Sequence, residues 1–424
     1  MLLLFLSFFF SDKLETFFGL NGGYNKNEAK ADVLTKANYV VNYLDVGQGN
    51  SSVVFLPDGK TLLIDGGNTM YGETVYDFLK EHNIQTVDYM IATHADADHI
   101  GGLNYILDKM EVKTIFRPFQ ISGTGTTASS FYPNEFEDLS TVYLKYANST
   151  ARNKISRITS SVYAEFISKV YNERYTSTEV EDTFSDVYVF YDGLKFSGEN
   201  YYFEFFAPEI REEEDNLSDF SSRTKGYVTV GYGATNSNDN SAIMLFNCDN
   251  DKYLFTGDAS FKNGSSNPSS STKFEELDFV ESLTSDEKKI LSNVTVYLAG
   301  HHGSSYSSSD NLLSLINPRF VVISVGENNT YGHPASEVIF RIEKTKNLEK
   351  DYLVRTDKNG NISFCNVNGK VCYVIEKNEY GTKETISWEV FSGVIYFAII
   401  FVIFSIKPIG EIRQKIWHYN FLQI

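Results

Sequence analysis

The chain has 424 residues, of which 42% are apolar and 22% charged, which excludes wholesale disorder. That length accommodates two or three ordinary domains, or one large α/β domain with insertions. With 37 basic against 55 acidic residues the net charge is −18, which disfavours a general nucleic-acid coating, and three cysteines exclude a disulfide scaffold or a Cys-rich zinc module.

In chain order, residues 1–10 are apolar but too short to span a bilayer, and no basic residue precedes them. A clipped signal sequence and a membrane-dipping start both fit. Residues 21–36 are polar and read as a linker, so 1–37 form a hydrophobic start and its connection. Val40–Val46, Ser52–Leu56 and Thr61–Asp65, separated by turn residues such as Pro57-Asp58-Gly59, predict three short strands. The spacing of Val75, Phe78 and Leu79 predicts a helix over Glu73–His82. Val87–Thr93 reads as a buried strand, Ile100–Leu107 as a helix and Val112–Phe116 as a strand. A β-rich opening followed by strand–helix alternation fits a sheet covered by helices.

Residues 121–240 are rich in Ser, Thr and Tyr and contain neither His nor Cys. Their 19 acidic residues against 10 basic ones give them half of the net charge. They read as an insertion with a helix near Val162–Glu173, a strand at Tyr201–Phe206 and a solvated acidic loop at Glu212–Asp215. Lys145, Arg152, Lys154 and Arg157 form the one basic strip, which a solvated face also explains.

Strands are expected again at Ala242–Phe246, Tyr253–Thr256, Val294–Leu298 and Phe320–Val325, with helices at Asn311–Ile316 and Ala335–Lys344. Ser260–Thr272 is low-complexity loop. Tyr352–Arg355, Ile362–Cys365 and Val371–Ile375 complete a meander, in which the hairpin turn Asn368-Gly369 sets Cys365 opposite Cys372. Two readings of that pair stay open, a disulfide in an oxidising compartment or two reduced apolar thiols. Finally, Trp388–Ile406 has no charge from Val390 onward, and a helix over those residues would span about 25 Å. It is expected to be a transmembrane helix, followed by a short basic tail at 407–424. Lys407, Arg413 and Lys415 place that tail in the cytoplasm and the preceding domain, 38–380, outside.

Seven histidines occur, and five of them mark loops that follow strands. Strand Val87–Thr93 runs into His94-Ala95-Asp96-Ala97-Asp98-His99, followed by Ile100-Gly101-Gly102. An Asp helix cap accounts for one of these residues, not for two imidazoles and two carboxylates. These are the ligand types of Zn²⁺ and Mn²⁺, and the Ala residues between them with Gly101-Gly102 behind are expected to let the backbone coil around ions. Asp258, in Thr256-Gly257-Asp258, is weak evidence alone; His301-His302 and Gly332-His333-Pro334 add to it. All lie where open α/β sheets bind ligands, at the carboxyl ends of strands. The pattern predicts two divalent metal ions, with water between them activated to attack and the ions stabilising the attacking and leaving oxygens.

These motifs, with Leu44-Asp45-Val46-Gly47-Gln48-Gly49, Leu63-Ile64-Asp65-Gly66-Gly67 and Asn240-Ser241, resemble the metallo-β-lactamase superfamily, and more narrowly the hydrolase domain of ComEC-type DNA-uptake proteins. The resemblance covers about residues 38–375, with 121–240 matching poorly. It implies an α/β fold, an αββα sandwich with an insertion, and a binuclear metal hydrolase. It implies that His94 and Asp96 hold one ion, Asp98 and His99 the other, that Asp258 bridges them, and that His301, or else His302, completes a shell. Asp98, His302 and His333 are the expected catalytic residues, His333 as a late ligand or as the group that touches the scissile phosphate or protonates the leaving group.

Two features depart from the family. Asp stands at 96 where His is usual, a harder donor that shifts the expectation toward Mn²⁺, and no histidine lies between His99 and His301. A single spanning segment also differs from a many-helix channel. The expectation is therefore a membrane-anchored phosphodiesterase or nuclease, acting on DNA, RNA or a phosphodiester of a cell-wall polymer. Two other readings are a lactam, lactone or thioester hydrolase, and a non-catalytic surface-binding module.

Overall fold

The computed structural model describes residues 37–118, 160–175, 186–208, 237–260, 276–349 and 352–376 apart from 368, and four short strands at 121–122, 157–158, 209–211 and 227–229. All fall within one unit that ends at Lys377. The N-terminal segment, most of the basic strip, the acidic loop 212–215 and the expected spanning segment 388–406 lie outside the described residues. Among those described, no helix is long and apolar enough to cross a membrane.

The chain opens with β1 (Val40–Tyr43), β2 (Ser51–Phe55) and β3 (Thr61–Gly66), then α1 (Gly72–Glu81), β4 (Thr86–Ile91), α2 (Ala97–Lys109) and β5 (Glu111–Arg117). Two short strands follow, β6 (Ile121–Ser122) and β7 (Arg157–Ile158), then α3 (Ser161–Tyr175), β8 (Asp186–Val189), β9 (Lys195–Ser197) and β10 (Tyr201–Ala207). Next come a second short pair, β11 (Glu209–Arg211) and β12 (Tyr227–Thr229), then β13 (Ile243–Cys248), β14 (Asp251–Phe255), α4 (Glu276–Ser282), α5 (Ser285–Leu291), β15 (Val296–Leu298) and α6 (Asp310–Ile316). The last elements are β16 (Phe320–Ile323), α7 (Ser336–Glu343), β17 (Leu353–Arg355), α8 (Thr356–Asn359), β18 (Ile362–Val367) and β19 (Lys370–Ile375).

Two large sheets result. The first has the order β19-β18-β1-β2-β3-β4-β5-β8 and the second β17-β16-β15-β14-β13-β10-β9. Each is half antiparallel meander and half parallel: β3, β4, β5 and β8 run parallel in one, β14, β15, β16 and β17 in the other. Alternation along single strands explains the layering, because successive side chains point to opposite faces. In β3, Leu62 and Ile64 enter the core between the sheets while Leu63 packs outward under α1 and α2. In β13, Met244, Phe246 and Cys248 face the inter-sheet core while Ile243 and Leu245 join the layer covered by α4 to α7. Helix α2 buries Ile100, Leu103, Ile106 and Leu107, an apolar stripe at helical spacing. The result is the expected helix–sheet–sheet–helix order.

The structure corrects the reading of 121–240 as one insertion. β8 forms the edge of the first sheet, and β9 and β10 complete the second. The strand expected at Tyr201–Phe206 is β10, where Tyr201, Phe203 and Phe205 alternate into the inter-sheet core; the surrounding Ser/Thr/Tyr composition obscured its membership of the main sheet. Helices α4 and α5 also went unread, although Thr284 and Glu287 form a reciprocal capping box ahead of α5.

Gly101 and Gly102 serve a different purpose from the one their sequence context suggests. They lie inside α2, where a Cβ on Gly102 would sit 2.0 Å from the Gly66 carbonyl oxygen and one on Gly101 2.3 Å from Thr69 N. They let α2 press onto the loop after β3, which fixes its first turn against the sheet. Gly102→Ala is expected to cost about 3 kcal/mol, because backbone rather than a flexible side chain must yield. A fall in the urea midpoint measures it.

The Cys365–Cys372 register is the expected one, with the two sulfurs 3.3 Å apart as thiols.

Candidate metal centre

Five strand ends converge at one end of the sandwich. Asp65, next to last in β3, takes a left-handed conformation (φ 57°) ahead of Gly66-Gly67. Thr93 and His94 follow β4, and Asp96 then takes the N-cap position of α2 with extended backbone. Its carboxylate caps nothing; it accepts a hydrogen bond from the Ser237 hydroxyl instead. Asp98 and His99 thus occupy the first turn of α2. Asp258 follows β14, His301 and His302 follow β15, and Ser324 and His333 follow β16.

His301 (φ 49°, ψ 45°) and His302 (φ 54°, ψ 23°) both adopt the left-handed region, which costs an ordinary side chain roughly 1–2 kcal/mol. Such strain persists only where the surroundings impose it. Here His301 N–H donates to Gly257 O at 3.0 Å, Ser304 N–H to His301 O at 2.8 Å, and Gly300 N–H to the Tyr297 hydroxyl at 3.2 Å.

Hydrogen bonding fixes the tautomers. His302 Nδ1 lies 3.0 Å from Ser324 O, which can only accept, so Nδ1 carries the proton. His99 Nδ1 donates to Asp65 Oδ2 at 2.7 Å. Thr93 donates its hydroxyl to the same Oδ2 (2.7 Å) and its N–H to Oδ1 (2.8 Å), so Thr93 Oγ1 is free to accept from His94 Nδ1 at 3.1 Å. All three imidazoles therefore aim the lone pair of Nε2 into the site.

Those lone pairs meet carboxylates. His99 Nε2 lies 3.1 Å and His302 Nε2 3.8 Å from Asp258 Oδ1. His94 Nε2 is 3.9 Å and His301 Nε2 3.6 Å from the other oxygen, Oδ2. His302 Nε2 is also 3.3 Å from Asp98 Oδ2, and His94 Nε2 3.8 Å from Asp96 Oδ2. Acceptor facing acceptor is repulsive unless a proton or a metal cation lies between. Two ligands bound to one tetrahedral ion at about 2.0–2.1 Å stand ~3.4 Å apart, close to these separations. Of the eleven buried polar side-chain atoms without a hydrogen-bond partner among the described residues, five belong here: His94 Nε2, His99 Nε2, His302 Nε2, His301 Nδ1 and Asp258 Oδ1. Native proteins rarely orphan such atoms without a functional reason. The donor set fits a divalent metal. Two groups stand out, His94/His99/Asp258 and Asp98/His99/His302.

The charges agree. Burial opposes the Asp258 carboxylate, but His99, His301 and His302 outweigh it and hold its pKa well below the usual range. Burial likewise opposes charge on His99, yet Asp258 and Asp65 raise it well above the ordinary imidazole value. His94 is pushed down, first by burial and then by His99. Asp98 is lowered to about 2: burial opposes this, and the bond to His302 and the charge of His99 prevail. Burial, with His301 and His302 nearby, lowers His333 to about 4.

The sequence treats His301 and His302 as alternatives. The structure brings both to Asp258, His302 on the Oδ1 side with Asp98 and His99, His301 on the Oδ2 side with His94. His302 is buried; His301 keeps 28% of its side chain exposed. His333 lies further out, its ring 5.8 Å from that of His301 and 6.4 Å from that of His302. His82 is an exposed helix end, apart from the site. Asp65, Thr93, Ser237, Ser324 and Gln48 belong to the site but carry no sequence assignment. Asp65 had a signal, its place in Asp65-Gly66-Gly67; the serines had none. Removing the Asp65 carboxylate with Asp65→Asn is expected to weaken metal binding about 10- to 100-fold, because His99 loses the partner that orients it. Competition against a chromogenic chelator reads this directly.

Residues 44–118 match the family described as the metallo-beta-lactamase superfamily. ComE operon protein 3 of Bacillus subtilis is 22% identical over 341 residues, covering 76% of this chain and 32% of that protein. Recombination protein 2 of Haemophilus influenzae is 24% identical over 326 residues, covering 76% and 28%. The chain thus spans about a third of the length of these relatives. Among solved structures, the metallo-beta-lactamase fold protein YhfI from Bacillus subtilis aligns at 8% identity and TM-score 0.37, over 79% of this chain and all of YhfI. CmlA, a diiron beta-hydroxylase from Streptomyces venezuelae, aligns at 13% identity and TM-score 0.37, over 80% and 57%. Residues 44–118 thus carry the match to the metallo-β-lactamase superfamily, and the chain is similar at low identity to the ComEC-type competence proteins.

Proposed function

We propose that the chain is a two-metal hydrolase of phosphodiesters. The observation that carries this reading is the division of Asp258: one carboxylate oxygen faces His99 and His302, the other His94 and His301. That arrangement suits one ion held by His94, Asp96 and Asp258 with His301 nearby, and a second held by Asp98, His99, His302 and Asp258. Bound there, a pair of divalent ions lowers the pKa of water and neutralises charge on the attacking and leaving oxygens of a phosphoryl centre.

The rest falls to the chain's own groups. Asp65 and Ser324 hold His99 and His302 in the tautomer that presents Nε2. Ser237 holds the Asp96 carboxylate at the site's edge. Gln48 Oε1 accepts from Gly326 N–H at 3.2 Å, which orients its amide nitrogen toward His333 Nδ1 at 3.3 Å. His333 Nδ1 is therefore an acceptor and Nε2 carries the proton. With a pKa near 4 the ring is neutral at pH 7, so His333 acts as a hydrogen-bond donor to a substrate oxygen rather than as a charged acid.

The relationship to ComEC-type proteins supports a phosphodiester over a lactam. We further propose that 388–406, uncharged from Val390, anchors the domain outside the membrane. The test uses the full chain with Mn²⁺ or Zn²⁺ on bis-p-nitrophenyl phosphate, nitrocefin and a lactone. Phosphodiester turnover that chelation abolishes and metal restores is expected. Lactam or lactone turnover without phosphodiester turnover contradicts the proposal.

A further inference from the structure

Cys365 and Cys372 face each other across β18 and β19, whose register pairs Val367 with Lys370, Asn366 with Val371 and Cys365 with Cys372. Directly opposed residues of an antiparallel pair have Cα atoms about 4.5–5.5 Å apart, inside the ~4.4–6.8 Å that a disulfide spans. The two sulfurs are 3.3 Å apart and need to close by about 1.3 Å to reach the ~2.05 Å of a bond. Side-chain rotation supplies that approach, so the backbone need not move. Asn366 holds the turn that sets this register, its Oδ1 accepting from Gly369 N–H at 2.9 Å.

The surroundings give the two thiols different roles. Cys365 is buried, and burial with the neighbouring Cys372 pushes its thiol up to about 12, so it stays protonated at neutral pH. Cys372 is partly exposed and is the sulfur that a reagent meets first. Cys248 is buried in the inter-sheet core. Among the described residues, the groups able to hold an ion contain none of these thiols, which sets a metal role aside. Among the described strands β19 pairs with β18 alone, at the edge of the first sheet, and the compact unit ends just after it at Lys377. An edge strand at the end of a folded unit is held by one ladder and is where fraying begins.

We propose that Cys365 and Cys372 are a modification site that closes into a disulfide and clips β19 to the sheet. The co-reactant is a disulfide oxidant, for which glutathione disulfide serves as the probe. The Cys372 thiolate attacks one sulfur of the oxidant, whose S–S bond breaks and releases one thiolate. Cys365 then gives up its proton and attacks Cys372 Sγ, and the oxidant's second sulfur leaves as a thiolate. The pair loses two electrons and two protons, and the oxidant takes them up as two thiols. This site goes beyond the hydrolase reading and does not depend on it.

The test treats the purified full chain with excess glutathione disulfide or excess reduced glutathione, quenches in acid and alkylates the unfolded protein. Oxidised wild type is expected to take up one alkyl group, on Cys248, against three for the reduced chain. Trypsin cuts between the two cysteines at Lys370, so peptides 359–370 and 371–377 of the oxidised chain should travel together until reduced. Cys365→Ser should carry glutathione on Cys372, whereas Cys372→Ser should keep Cys365 as an unmodified thiol. Amide hydrogen exchange of residues 371–375 should slow at least about tenfold on oxidation of the wild type, a lower bound on a disulfide's usual contribution. The double variant Cys365→Ser/Cys372→Ser should show no such change. Three alkyl groups on the oxidised wild type, a link through Cys248, or exchange that oxidation leaves unchanged overturns the proposal. Glutathione on Cys365 in Cys372→Ser overturns the order of attack.

Discussion

Replacing Asp258 by alanine is expected to lower kcat/KM for a phosphodiester by roughly 1,000-fold or more, about 4 kcal/mol of transition-state stabilisation at ~1.4 kcal/mol per decade. The size follows from position. Asp258 faces four imidazoles with two oxygens and is buried. Without it, both candidate ions lose a ligand, and nothing central compensates positive charge among His94, His99, His301 and His302. Asp258→Asn keeps the shape and removes the charge. It should lose nearly as much activity as alanine, whereas a packing role would leave it near wild type. Steady-state kinetics with metal in excess distinguishes the two.

Loss of Glu276 should have the largest effect on stability, and that effect should depend on pH. Glu276 is buried, and its carboxylate accepts the N–H groups of Ser308 (2.9 Å) and Ser309 (2.6 Å). Arg341 grips the same loop through Ser305 O, Ser307 O and Ser308 O. Ser308 Oγ meets the Tyr297 hydroxyl at 3.0 Å, and that hydroxyl receives Gly300 N–H just before the two histidines. Glu276→Ala leaves two buried donors unmatched and a cavity, at a cost of about 3–5 kcal/mol. Burial raises the Glu276 carboxyl to about 7, against 4.5 ordinarily, so folding favours its protonated form. Its contribution is thus full below pH 4.5 and declines as pH rises through 7, by about 3 kcal/mol. The alanine variant should therefore be most destabilised relative to wild type near pH 5 and less so at pH 8. Denaturant titrations at the two pH values check the sign; a larger deficit at pH 8 contradicts it.

What the sequence disclosed and what it hid differ in range. His94-Ala95-Asp96-Ala97-Asp98-His99 is legible because its donors are neighbours in the chain, and the strand before it is a short apolar run. His301-His302 is legible as a pair, but its division between the two oxygens of Asp258 is not, because it depends on left-handed backbone at both residues. Asp65 reaches His99 only because β3 and β4 pair in parallel and bring their carboxyl ends together. Ser237, Ser324 and Glu276 act through one or two hydrogen bonds across long separations, which no local pattern records. The strands β8 and β9, and the place of β10 in the second sheet, went unread for a different reason: in a region biased in composition, composition was the louder signal.

The central claim is that these loops build a two-ion site around Asp258. Metal content measures it most directly: purified full chain, stripped and equilibrated with Mn²⁺ or Zn²⁺, analysed by mass spectrometry of the metal against protein concentration, beside Asp258→Ala. About two ions per wild-type chain are expected, as a two-metal centre requires, with a clear loss in the variant. Fewer than one ion per wild-type chain, or equal content in both proteins, contradicts the account.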